Sequence, residues 1–88
     1  MSNLDDYLGR VRGLLISLAD RMTQSECREV ERLIDHGEPA EAMRALAWII
    51  VEEHKRIPAS AISTLRELTK GLIDDSHMPS DLEDYIED

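Results

Sequence analysis

One decapeptide restricts the fold more than any other part of the chain: Leu33-Ile34-Asp35-His36-Gly37-Glu38-Pro39-Ala40-Glu41-Ala42. Glycine takes a left-handed backbone without a Cβ clash, so Gly37 marks the end of a helix. Proline pre-sets φ, and its missing N–H costs nothing in a first helical turn, so Pro39 marks a start. Glu38 and Glu41 put negative charge on the positive end of the new helix dipole. The stretch therefore predicts two helices that meet at a short corner and pack as neighbours.

Periodicity extends the helical reading along the chain. A first helix is predicted over 3–19, capped by Asn3, with Leu4, Tyr7, Leu8, Val11, Leu14, Leu15 and Leu18 in one stripe. A second runs over 24–36, opened by the capping box Thr23-Gln24-Ser25-Glu26. Its apolar side is Cys27, Val30, Leu33 and Ile34, and its solvent side is Arg28, Glu29, Glu31, Arg32 and Asp35. A third spans 39–54, with Met43, Leu46, Ala47, Ile50 and His54 on one face, and Trp48, Ile49 and Val51 widening the apolar surface. A helix apolar all round belongs at the centre of its bundle. The fourth runs from about Pro58 to Ile73, with Ile62, Leu65, Leu68, Leu72 and Ile73 pointing inward.

Beyond it the pattern lapses at Ser76-His77-Met78-Pro79. A second capping box, Ser80-Asp81-Leu82-Glu83, then precedes Tyr85 and Ile86. The expected architecture is a compact all-α bundle of four main helices over 1–75. An acidic C-terminal tail over 76–88 follows, either a short helix or disordered.

At 88 residues with 42% apolar and 3% aromatic content, the chain is one domain with a modest aliphatic core. The single Cys27 excludes an intrachain disulfide and fits a reducing compartment. No basic cluster precedes an apolar run near Met1, and the longest apolar run is seven residues, 45–51. A cytoplasmic protein with no membrane association is expected.

The formal charge of −9 is unevenly spread. Residues 74–88 hold seven acids (Asp74, Asp75, Asp81, Glu83, Asp84, Glu87, Asp88) and no Lys or Arg. The remainder, with 12 acids and 10 bases, is nearly balanced. Such a chain is repelled by nucleic-acid phosphates and attracted to a basic protein surface.

Catalytic, cofactor and metal chemistry find no support in the pattern. His36, His54 and His77 are far apart, and no His–His or Cys–His pair has ligand spacing. His36 reads as a last-turn residue favoured by the helix dipole, and His54 as a partly buried helix-end residue. Cys27 lies on an apolar stripe, where cysteine acts as a small hydrophobe. Gly9, Gly13, Gly37 and Gly71 are too scattered for a phosphate loop. Trp48 admits two readings, burial on a second side of a central helix or exposure as an interface anchor.

The corner and its flanks resemble those of MafI-family immunity proteins, small bacterial cytosolic proteins that neutralise a cognate secreted polymorphic toxin. The resemblance rests on 33–42, on Leu46-Ala47-Trp48-Ile49-Ile50 with the acidic Glu52-Glu53, and on the spacing to Ile57-Pro58 and to Leu65 and Leu68. It covers about half the chain. It implies a binding protein without enzymatic activity or cofactor, whose partner is a toxin domain with a basic surface. Occlusion of a nuclease cleft fits the charge. Candidate partner-facing residues are Asp74, Asp75, Asp81, Glu83, Asp84, Glu87 and Asp88 with Tyr85 as anchor, then Glu29, Glu31 and Asp35, and Trp48. The alternative is a small acidic helical adaptor or regulatory subunit of a larger complex, using the Trp48 surface. Either a monomer or a homodimer fits this sequence.

Overall fold

The computed structural model describes residues 3–87. Four α-helices carry it: α1 (Asn3–Leu18), α2 (Gln24–Asp35), α3 (Pro39–Glu52) and α4 (Ala59–Thr69). Three short 3-10 turns complete it, at Ala19–Arg21, Asp75–His77 and Leu82–Tyr85. This is the expected all-α compact bundle. The cap expected from Asn3 lies outside the described side chains.

The corner forms as its chemistry dictates. Gly37 takes φ +81°. Its N–H reaches the Ile34 carbonyl (3.1 Å), and the Glu38 N–H reaches that of Leu33 (2.9 Å). These are the paired bonds that satisfy the last carbonyls of a helix through a left-handed residue. Pro39 then opens α3. At the other end of α2, the Thr23 hydroxyl accepts from Glu26 N–H, and the Glu26 carboxylate accepts from Thr23 N–H (2.9 Å).

The same carboxylate also meets Lys55 Nζ at 3.0 Å. Only about one seventh of either side chain is exposed, so water screens this pair weakly. Because Lys55 follows the end of α3, the contact places the start of α2 beside the end of α3. The two helices are therefore an antiparallel hairpin, closed by Gly37 at one end and by Glu26–Lys55 at the other.

Helix α3 is the hub. It packs on α1, α2, α4 and the 3-10 turn at Leu82–Tyr85. Ala42, Met43, Leu46, Ala47 and Ile50 are all 0% exposed. Val11, Leu14, Leu15 and Leu18 of α1, Val30 and Ile34 of α2, and Ile62, Leu65 and Leu68 of α4 complete an aliphatic core. Helix α1 runs against α4 through the Tyr7 hydroxyl on the Leu68 carbonyl and Arg10 on Glu67 (3.7 Å).

Several expectations are corrected in detail. Helix α3 ends at Glu52, and His54 is exposed in the left-handed region at φ 53°. It takes the place that Gly37 holds after α2: Lys55 N–H bonds to the Ile50 carbonyl at 2.9 Å. Helix α4 stops at Thr69, because Lys70 (φ −61°, ψ 125°) and Gly71 (φ +79°) form a type II turn closed by Leu72 N–H on the Thr69 carbonyl (3.0 Å). The turn breaks the helical phase, and Leu72 is exposed while Ile73 stays buried. Leu4 is also exposed, one turn beyond the point where Tyr7 reaches the end of α4.

The two left-handed positions make opposite predictions. A Cβ in this region costs about 1–2 kcal/mol, partly offset by the smaller entropy of a non-glycine unfolded chain. Thermal denaturation of Gly37→Ala is expected to show a loss of about 1 kcal/mol. His54→Gly is expected to hold or gain up to about 1 kcal/mol. Equal losses at both positions would contradict this account of the corner.

Candidate functional site

The most distinctive surface is made by residues 74–87, a strap drawn across one side of the bundle. Its apolar residues anchor it: Met78, Pro79 and Leu82 are buried, and Tyr85 and Ile86 pack against the core. In a 3-10 turn side chains three apart eclipse, so Leu82 and Tyr85 share the inward side. Asp81 and Asp84, also three apart, share another.

Polar groups fix the strap at both ends. Ile57 and Ile86 form an isolated parallel bridge, with Ile57 N–H on the Tyr85 carbonyl (2.9 Å) and Glu87 N–H on the Ile57 carbonyl (2.8 Å). Arg21 grips both Glu87 oxygens, at 2.6 and 3.2 Å. Arg66 grips Glu83 with Nε and Nη2, each at 2.7 Å, and also donates to the Pro79 carbonyl (3.0 Å). Arg56 donates to the Asp84 carbonyl at 2.9 Å. Trp48 donates its ring N–H to the His77 carbonyl at 2.8 Å. Paired guanidinium–carboxylate bonds set orientation as well as energy, so the strap is held in one pose.

These contacts sort the residues singled out from the sequence. Glu83 and Glu87 have their charges matched inside the chain. Asp74 accepts from the Ser76 N–H (2.9 Å) and hydroxyl (2.8 Å), capping the turn that starts the strap. Asp75, Asp81 and Asp84 are exposed, and their carboxylates form no ion pair within 4 Å among the described residues. Tyr85 is half-buried, its ring 5.9 Å from that of His54. Asp88 lies outside the described residues.

On α2, Asp35 pairs with Arg12 at 3.4 Å, while Glu29 and Glu31 are exposed. Glu29 lines a shallow groove with Arg28 and Arg32, so that face carries mixed charge. Trp48 is half-buried, and its polar edge is used by the strap. The box expected at Ser80–Glu83 does not form, because Arg66 holds the Glu83 carboxylate.

Sequence reading missed Arg21, Arg56, Arg66 and Ile57. Arg21 and Glu87 are 66 residues apart, a pairing that local periodicity does not encode. The signal that existed was indirect: Ile57 is an apolar residue outside every helical stripe, and Leu82, Tyr85 and Ile86 fit one side of a short terminal helix.

Electrostatics agree with the geometry. The hydrogen bond from Arg66 holds the Glu83 carboxyl below the usual 4.5, with partial burial opposing it. For Glu26, burial alone would raise the value; Thr23 N–H and Lys55 outweigh it and leave it lowered. No cluster of metal-ligating side chains occurs among the described residues. No helix among them is long and apolar enough to cross a membrane. Comparison with known proteins finds no matching family model, no matching curated protein and no matching solved structure.

A pH dependence follows. Glu83 and Glu26 have folded values below their unfolded ones, so their stabilisation is present above about pH 4.5 and is lost as the pH falls through the lowered values. Trp48 emission, which senses the strap through His77, is expected to change as acid is added below that pH. Glu83→Gln should flatten the response. An unchanged titration in that variant would remove Glu83 from the clasp. Leu82→Ala is expected to cost about 2–5 kcal/mol in chemical denaturation, as for a fully buried leucine.

Proposed function

We propose that this chain is an immunity protein that binds and neutralises a cognate bacterial toxin domain by stoichiometric occlusion. The observation that carries the reading is the state of the acidic segment. Its internal charges are neutralised by arginines, and Asp75, Asp81 and Asp84 are left exposed on a fixed strap. Acids held in one pose lose little entropy on binding, and they steer a basic partner during diffusional encounter. The local resemblance to MafI-family proteins supports the same role, and a basic nuclease cleft is the partner surface that fits the charge. On this reading the protein acts in the cytoplasm, holds no cofactor and catalyses nothing. The alternative, a small acidic helical adaptor or regulatory subunit of a larger complex, would use the surface at Trp48, which is half-buried.

The gene immediately upstream tests the role: a large secreted protein with a variable C-terminal domain is expected there, and co-expression with that domain is the direct assay. Cell survival, and a one-to-one complex on copurification, is the expected result; death despite folded protein sinks the reading.

The surface has its own test. Asp75→Asn, Asp81→Asn and Asp84→Asn combined should slow association by about tenfold or more and flatten its salt dependence. Asp5→Asn, Asp20→Asn and Glu53→Gln combined, an equal change of charge on exposed acids outside the strap, should change the rate far less. Equal effects from both sets would place the contact elsewhere.

A further inference from the structure

We propose that the strap is exchangeable between two copies of this chain, giving a dimer in which each bundle is closed by the other copy's residues 74–87. The strap is held as a partner peptide would be held. Its backbone adds to an extended segment at Ile57, its side chains Met78, Pro79 and Leu82 enter the bundle, and its carboxylates Glu83 and Glu87 meet Arg66 and Arg21. One backbone bridge, three buried apolar anchors and two arginine–carboxylate pairs would hold the same segment of a separate chain equally well. The site is complementary to this segment and to its identical copy, so the occupant is a second copy of the chain.

The hinge makes the exchange accessible. Between α4 and the strap lies the turn at Lys70–Gly71, whose closed form depends on a left-handed residue at φ +79°. No side chain or backbone crowds the Cβ direction at Gly71, so a substitution there acts on the backbone conformation alone. Opening this turn costs the turn and its two hydrogen bonds from Leu72 (3.0 Å) and Ile73 (2.9 Å) to the Thr69 carbonyl. Every strap contact is recovered in the exchanged dimer, as in other domain swaps. In the closed chain the strap benefits from a high effective concentration, about millimolar for a short tether. The closed monomer therefore dominates in dilute solution.

Two sets of full-length variants test the exchange. Gly71→Val penalises the closed turn but not an extended hinge, by about tenfold per hinge. Sedimentation should show the dimer dissociation constant falling by about a hundredfold for the two hinges. Gly71→Ala should give a smaller shift in the same direction. The second set is a charge reversal. Arg66→Glu and Glu83→Arg each place like charges at the clasp. Mixed after joint refolding, the two chains should form a one-to-one heterodimer, because each body then meets a complementary strap.

Gly71 variants that fold and self-associate no more than the parent overturn the proposal. So does a mixture of the reversed chains that yields no heterodimer, whether its chains are folded or not. The readout is mass, so its failure leaves the toxin-binding reading untouched.

Discussion

Helix α3 meets water along the stripe of Glu41, Arg44 and Glu52, and its remaining sides are apolar and need cover from the rest of the chain. Its residues Ala42, Met43, Leu46, Ala47 and Ile50 are sealed completely, and Trp48, Ile49 and Val51 are half-covered. Helices α1, α2 and α4 each pack on it, and the turn at Leu82–Tyr85 packs on it as well. The segment 74–87 is thus a structural part of the core, despite its acidic composition. The charged residues face away while Met78, Pro79 and Leu82 complete the enclosure.

Enclosure by such a segment needs more than apolar contact, because extended backbone carries unsatisfied N–H and C=O groups. Two arginines, Arg56 and Arg66, one indole N–H and the bridge to Ile57 supply the partners, and Arg21 holds the Glu87 carboxylate. The acidity of the segment therefore has two physical roles. Glu83 and Glu87 attach it, and Asp75, Asp81 and Asp84 give its outer surface a net negative charge. Total charge alone does not distinguish them.

The helices and the corner were legible because their determinants are local. A capping box, a left-handed glycine and a proline start each act within four residues, and a 3.6-residue period shows which face turns inward. Errors fell where local signals compete or end. Leu72 fits the α4 stripe in spacing, but Gly71 reverses the chain before it. Ser80 and Glu83 fit a capping box, but a guanidinium from another helix binds the carboxylate more strongly than a backbone N–H would. The apolar side of the strap, Leu82, Tyr85 and Ile86, was legible, but its docking was not, because its polar partners lie 13 to 66 residues away and share no period.

The double closure of the α2–α3 hairpin bears on how the chain assembles. Gly37 and the Glu26–Lys55 pair make 24–55 a ring whose contacts are short-range in sequence. Loop-closure entropy rises with the length of chain enclosed, so this pairing forms at lower entropic cost than Arg21 with Glu87. Most strap contacts enclose no more chain than the hairpin does, Arg66 reaching Pro79 and Glu83 across 13 and 17 residues, so the costly closure is the one at Arg21 and Glu87, which ties the end of the strap to the end of α1 across 66 residues.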